Sequence, residues 1–103
     1  HIVQGHVDGM GQVSRIETLE GSHVLHVSHP SKEDFLTVNK GSITINGVSL
    51  TVVQSTSEGL SVAIIPYTWE HSNLCALQVG DSVNLEFDII GKYVARMLSN
   101  RRN

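Results

Sequence analysis

The stretch "GSITINGVSLTVVQS", residues 41–55, decides the fold. Ile43 and Ile45 share one face of an extended chain, and after Asn46-Gly47 the apolar set becomes Val48, Leu50 and Val52. A period of two marks a half-buried strand, because successive side chains leave opposite faces. The phase changes across Asn46-Gly47, a pair that readily adopts the positive φ angles of a two-residue hairpin turn. A bulge or kink would shift the phase equally well, so the residues alone leave both geometries open. Either way Ser49 and Thr51 lie opposite Val48, Leu50 and Val52, and one side of this strand is hydroxyl-lined.

The same period runs outward in both directions. In "GSHVLHVSHP" (21–30) Val24 and His26 alternate with Leu25 and Val27. In "GLSVAIIP" (59–66) Leu60, Val62 and Ile64 alternate with Ser61, Ala63 and Ile65. In "DSVNLEFD" (81–88) Val83, Leu85 and Phe87 alternate with Asn84, Glu86 and Asp88. Turn signals at Gly21, Pro30, Gly41, Gly47, Gly59, Pro66, Gly80 and Gly91 cut the chain into short pieces, the pattern of an all-β barrel or sandwich. Two segments depart from it. "SKEDFLTV" (31–38) has a capping Ser31 and acids in its first turn, which predicts a short helix. "KYVARMLSNRRN" (92–103) puts Tyr93, Val94, Met97 and Leu98 on one helical face, with Arg101 and Arg102 near the C-terminal end.

Composition narrows the function classes. The 103 residues suit one domain, and 40% hydrophobic with 17% charged residues is the balance of a folded chain. A formal net charge of −3 lacks the basic surface that nucleic acid requires. No apolar run has the length of a membrane span. The single cysteine, Cys75, cannot form an internal disulfide, which predicts a reducing compartment and a cytoplasmic protein; its expected role is a buried, inert thiol.

Chemical motifs are sparse. His23, His26 and His29 are spaced by three, which on a strand sends neighbours to opposite faces, so no metal site is expected. Ser49, His6 and Asp88 are a conceivable triad, but no nucleophile elbow surrounds Ser49. Phosphate-loop and dinucleotide motifs are absent. More suggestive is His6 in "QGHVDG", since glycine in a strand often marks close approach of a ligand or another chain. "IIPYTWEHSNL" (64–74) offers backbone amides and flat side chains that suit a planar heteroaromatic ligand. Thr68, Glu70, Ser72 and Asn73 serve equally well as caps and links at a barrel end, and the residues alone leave the two readings even.

Together, "GHVDGMGQV" (5–13), "KGSITINGVSLTVV" (40–53), "IPYTWEHSNL" (65–74) and "VGDSVNLEFDIIGKYVARML" (79–98) resemble the C-terminal lumazine-binding domain of riboflavin synthase in order and spacing. The resemblance covers nearly the whole chain. It implies a six-stranded Greek-key barrel over residues 1–91, with a short internal helix, and the start of a truncated C-terminal helix over 92–103. It further implies that this is one half of a transferase built of two tandem barrels, working as a homotrimer, with the N-terminal barrel of another subunit completing the site. Such an enzyme converts two molecules of 6,7-dimethyl-8-ribityllumazine into riboflavin and a ribitylamino-pyrimidinedione, with no cofactor, because the lumazine ring supplies the reactivity. The isolated half is then expected to be poorly active, to bind lumazine or riboflavin, and to be capable of self-association.

Carried over position by position, the resemblance assigns Gly5, His6 and Val7 to a pocket-lining strand, with His6 assisting proton transfer. Lys40 lies near the substrate, and Ser49, Leu50 and Thr51 meet the ring or ribityl chain through hydroxyls and backbone. Ile65, Pro66, Tyr67, Thr68, Trp69 and Glu70 grip the heterocycle largely through main-chain amides, and Asp88 is an acid beside the site. His6, Ser49 and Asp88 form the expected catalytic set. Two departures stand out: Asn46 occupies a place where Asp is common, and Tyr67 and Trp69 are bulkier than many relatives carry. The alternative within the same fold is a fluorescent antenna-type domain that binds lumazine or flavin without turnover.

Overall fold

A computed structural model describes residues 8–31, 40–87 and 97. Six strands appear in chain order: β1 (Gly9–Leu19), β2 (Ser22–Ser28), β3 (Ser42–Ile45), β4 (Val48–Thr56), β5 (Gly59–Ile64) and β6 (Ser82–Phe87). All pairings are antiparallel, in the order β1-β2-β5-β4-β3-β6, and β6 returns to β1 to close a barrel. β3, β4 and β5 form a meander, and β6 comes back to lie beside β3, the Greek-key arrangement. Closure leaves no free sheet edge.

Asn46-Gly47 makes a two-residue hairpin turn. Ile45 pairs directly with Val48, and Asn46 (φ 48°) and Gly47 (φ 85°) both take positive φ. The Asn46 carboxamide oxygen accepts the Asn84 N–H at 2.8 Å, so the turn also clasps β6. The alternation read from the sequence matches most of the core: Leu25, Val27, Ile43, Ile45, Leu50, Val52, Leu60, Val62, Ile64, Val83, Leu85 and Phe87 are all buried, while Val48, read in one set with Leu50 and Val52, is half-buried and packs against them from the edge. Two irregularities, at Val13/Arg15 in β1 and Val52/Gln54 in β4, shift the register and add coil to these strands.

Because β4 and β3 separate β5 from β6, the connection between β5 and β6 must cross one end of the barrel. It carries a short helix, α1 (Pro66–Glu70), and a single 3-10 turn, Asn73–Ala76. Ser72 caps that turn, accepting the Leu74 N–H at 3.3 Å, and drives Leu74 fully into the core as a plug. Asn73 Nδ2 donates to Asn46 O at 3.1 Å, joining the crossing segment to the hairpin turn. Ser72 and Asn73 are therefore the links that the sequence allowed them to be. The expected burial of Cys75 is corrected: it is exposed, because the turn aims Leu74 inward and the next residue outward.

The helix expected over 31–38 lies outside the described residues apart from Ser31, which is exposed. Within 92–103 only Met97 is described, and it is helical and exposed.

Candidate functional site

The barrel register assembles a continuous patch on the outer wall. Ser49 and Thr51 project from β4 away from the core and are exposed. Thr51 pairs with Ser42 on one side and with Ala63 on the other, and Ala63 pairs in turn with Val24. Thr51 thus has a hydroxyl, Ser42, as its partner on β3 and a methyl, Ala63, as its partner on β5. Ala63 was not among the residues singled out from the sequence. Its outward phase was legible, but its place beside Thr51 depends on strand pairing that one sequence does not reveal.

Lys40 flanks the patch at the start of β3. Its own φ is 66°, its N–H donates to Val52 O at 2.7 Å, and its side chain is exposed. Leu50 contributes differently from its neighbours, since its side chain belongs to the core and only its backbone faces the patch. Glu86, Thr44 and Ser49 form a second paired row, across β6, β3 and β4, in which Thr44 and Glu86 are buried despite their outward phase.

At the end of this wall the chain turns through Ile65 into α1. Ile65 and Tyr67 are exposed, Thr68 and Trp69 are half-buried, and Pro66 and Glu70 are exposed. The N-cap residue Ile65 makes no side-chain capping bond and Pro66 has no N–H, so the N-cap position itself offers no side chain to the amides that open α1. Trp69 is not a free stacking platform: one face of its ring lies on His23 and it packs against the core. Gly5, His6, Val7 and Asp88 lie outside the described residues. Their nearest described neighbours are joined, because Asp8 N donates to Leu85 O at 2.8 Å and Asp8 Oδ2 accepts the Phe87 N–H at 2.6 Å.

Among the described residues no group of three metal-ligating side chains is close enough to hold an ion. His23 and His29 are committed elsewhere, His23 to Trp69 and His29 edge-on to Phe87, while His26 Nε2 donates to Glu17 Oε1 at 2.6 Å. A groove of about 240 Å³ lies further along the outer face of β2, β5 and β4, lined by Ser14, His26, Ser28, Gln54, Thr56 and Ser61 among others. None of the described candidate site residues lines it. Among the described residues Ser49, Thr51 and Ala63 of the candidate patch are exposed on the barrel wall. No helix among the described residues is long and apolar enough to cross a membrane.

A family model described as "Lumazine binding domain" matches residues 4–88. A riboflavin synthase of Actinobacillus pleuropneumoniae is 43% identical over 98 residues, covering 95% of this chain and 46% of that protein. One of Bacillus subtilis (strain 168) is 41% identical over 101 residues, with the same two coverages. The chain therefore spans about half the length of the curated relatives it matches. Among solved structures, the crystal structure of LumP complexed with 6,7-dimethyl-8-(1'-D-ribityl) lumazine superposes with a TM-score of 0.72 at 25% identity, covering 82% of this chain and 47% of that one.

Proposed function

Because the chain belongs to the lumazine-binding domain family, we propose that it is the lumazine-binding half of a riboflavin synthase, holding one 6,7-dimethyl-8-ribityllumazine against the outer wall of β4 and β5. The observation that carries this reading is the patch of Ser49, Thr51 and the small Ala63, ending at the amides that open α1. The hydroxyls suit a ribityl chain, which both donates and accepts. The methyl of Ala63 leaves room for a flat ring, and the amides together with Thr68 suit the carbonyl-rich pyrimidine edge.

On this reading the protein contributes orientation and proton movement, while the substrate supplies the reactive carbon acid. Ser49 and Thr51 bind and align. His6 moves a proton between substrate and solvent, its imidazole ordinarily titrating near neutrality. Asp88 supports charge close by, and Lys40 is the cation at the edge of the patch. Gly5 and Val7 are pocket-lining residues by the family resemblance alone, and Ile65, Pro66 and Glu70 shape the rim.

The patch is open, and the relatives are about twice as long as this chain. We therefore place the second lumazine on a second barrel, the N-terminal half of a synthase trimer, with the protein in the cytoplasm. A binding-only role is less favoured, since the relatives at 43% and 41% identity are synthases while the LumP structure stands at 25%. The test is a fluorescence titration of the purified domain with 6,7-dimethyl-8-ribityllumazine, with Thr51→Val and Ala63→Leu alongside. Saturable binding weakened by both variants supports the site; binding indifferent to both refutes it.

A further inference from the structure

The two bulky residues that set this chain apart, Tyr67 and Trp69, are each stacked on a histidine, but the two stacks do different things. Tyr67 lies on His71 with centroids 4.2 Å apart and 17° between planes, and His71 Nδ1 donates to Tyr67 O at 2.9 Å. That pair is local to the crossing segment. Trp69 lies on His23 with centroids 4.2 Å apart and 14° between planes. His23 belongs to β2, at the mouth of the barrel, in register with Thr18 of β1 and Ile64 of β5. The Thr18 hydroxyl and His23 Nδ1 share a 3.4 Å hydrogen bond, which limits rotation of the imidazole.

α1 needs such an anchor. It has five residues, no side-chain N-cap, no acid in its first turn and no fully buried residue. A helix this short does not hold itself together in water, so tertiary contacts must place it. Trp69 supplies one, packing its half-buried ring between His23 and the core.

We propose that His23 is a positioning residue: by stacking under Trp69 it fixes α1, and with it Thr68 and the amides that follow Ile65, in the orientation that receives the heterocycle. This rests on the reading above that the segment grips the ligand. His23 itself does not touch substrate. A flat ring at position 23 is what the role requires, which separates it from any role for a titrating imidazole.

The test combines two readouts on the domain, with His23→Ala, His23→Phe and Thr18→Val. The first is amide hydrogen exchange at Trp69 and His71, whose N–H groups donate to Ile65 O and Tyr67 O at 3.0 Å each; it needs no ligand. The second is the dissociation constant for 6,7-dimethyl-8-ribityllumazine. One stacked pair corresponds to about a three- to tenfold effect. His23→Ala should therefore speed exchange at both amides and weaken binding by about that factor, while exchange at Val62 in the core stays unchanged. His23→Phe should restore both readouts, and Thr18→Val should fall between, which keeps the test decisive if the alanine variant folds poorly. Unchanged exchange in His23→Ala overturns the proposal, as does faster exchange with unchanged affinity. If wild type binds no lumazine while exchange still responds, the ligand reading fails and with it the functional part of the inference, leaving His23 as an anchor of α1 alone.

Discussion

Asp8 Oδ2 accepts a 2.6 Å hydrogen bond from the Phe87 N–H, joining residues 79 apart in sequence. The aspartate of "GHVDG" is thus a clamp on the end of β6.

This clamp is testable by stability alone. A charge-assisted bond to the amide of a residue that is only 2% exposed should be costly to lose. Asp8→Ala is expected to lower the unfolding free energy by about 1–3 kcal/mol in urea denaturation. Asp8→Asn keeps an acceptor and should lose less than half of that. Equal losses in the two variants would mean that the clamp is not what Asp8 contributes.

Gly11 is required by space rather than by backbone angle. A Cβ there would sit 2.6 Å from Val27 Cγ1, 2.8 Å from Ser28 O and 3.0 Å from Leu85 Cδ1. Backbone on one side cannot yield, so Gly11→Ala should destabilise the barrel by about 1–3 kcal/mol, seen as a lower thermal midpoint. An unchanged midpoint would show that β1 can move away from β2 at this point.

Asn46 combines a positive φ of 48° with acceptance of the Asn84 N–H at 2.8 Å. Asp can do both, since it tolerates left-handed backbone and keeps the acceptor oxygen. Asn46→Asp is expected to change stability by less than about 0.5 kcal/mol, and Asn46→Ala to cost about 1–2 kcal/mol.

The outer wall predicts effects on binding without effects on folding. Thr51 and Ala63 are exposed, so Thr51→Val should change stability by less than about 0.5 kcal/mol. It should weaken lumazine binding about fivefold, the worth of one hydrogen bond. Ala63→Leu places a branched side chain where the ring would lie, and should weaken binding more than tenfold, roughly the cost of forcing a clash in a fitted site. Isothermal titration beside urea denaturation separates the two effects.

Much of the barrel was legible because the core faces obey a strict period of two. Ile43 and Ile45, with Val48, Leu50 and Val52 after Asn46-Gly47, were readable as the apolar set of this hairpin, and all but the half-buried Val48 are buried. Strand order and closure were not readable from alternation. They rest on pairings such as Ile43 with Phe87 and Val24 with Ala63, between segments far apart in sequence; the family resemblance supplied them. Irregularities at Val13/Arg15 and Val52/Gln54 also break the period where the strands coil.

The site was half legible. Ser49 and Thr51 announced themselves by phase, whereas Ala63 needed the register to become their neighbour. Glu86 alternates in the sequence with the core set Val83, Leu85 and Phe87 and is nevertheless buried, as is its partner Thr44, because phase tells which face a side chain takes and not whether that face is covered. Cys75 failed for a related reason, since a 3-10 turn follows a period of three that the strand rule does not contain. The stack of Trp69 on His23 was not readable from the sequence, because it joins α1 to β2 across the barrel end.

The most direct test of the central claim is a nuclear magnetic resonance titration of the ¹⁵N-labelled domain with 6,7-dimethyl-8-ribityllumazine, following every backbone amide. Ligand on the outer wall of β4 and β5 predicts saturable shifts concentrated at Ser49, Thr51, Ala63 and Ile65–Trp69, with Ser14, Ser28 and Thr56 of the separate groove unmoved. Shifts confined to the groove, or none at saturating ligand from a folded domain, would contradict it.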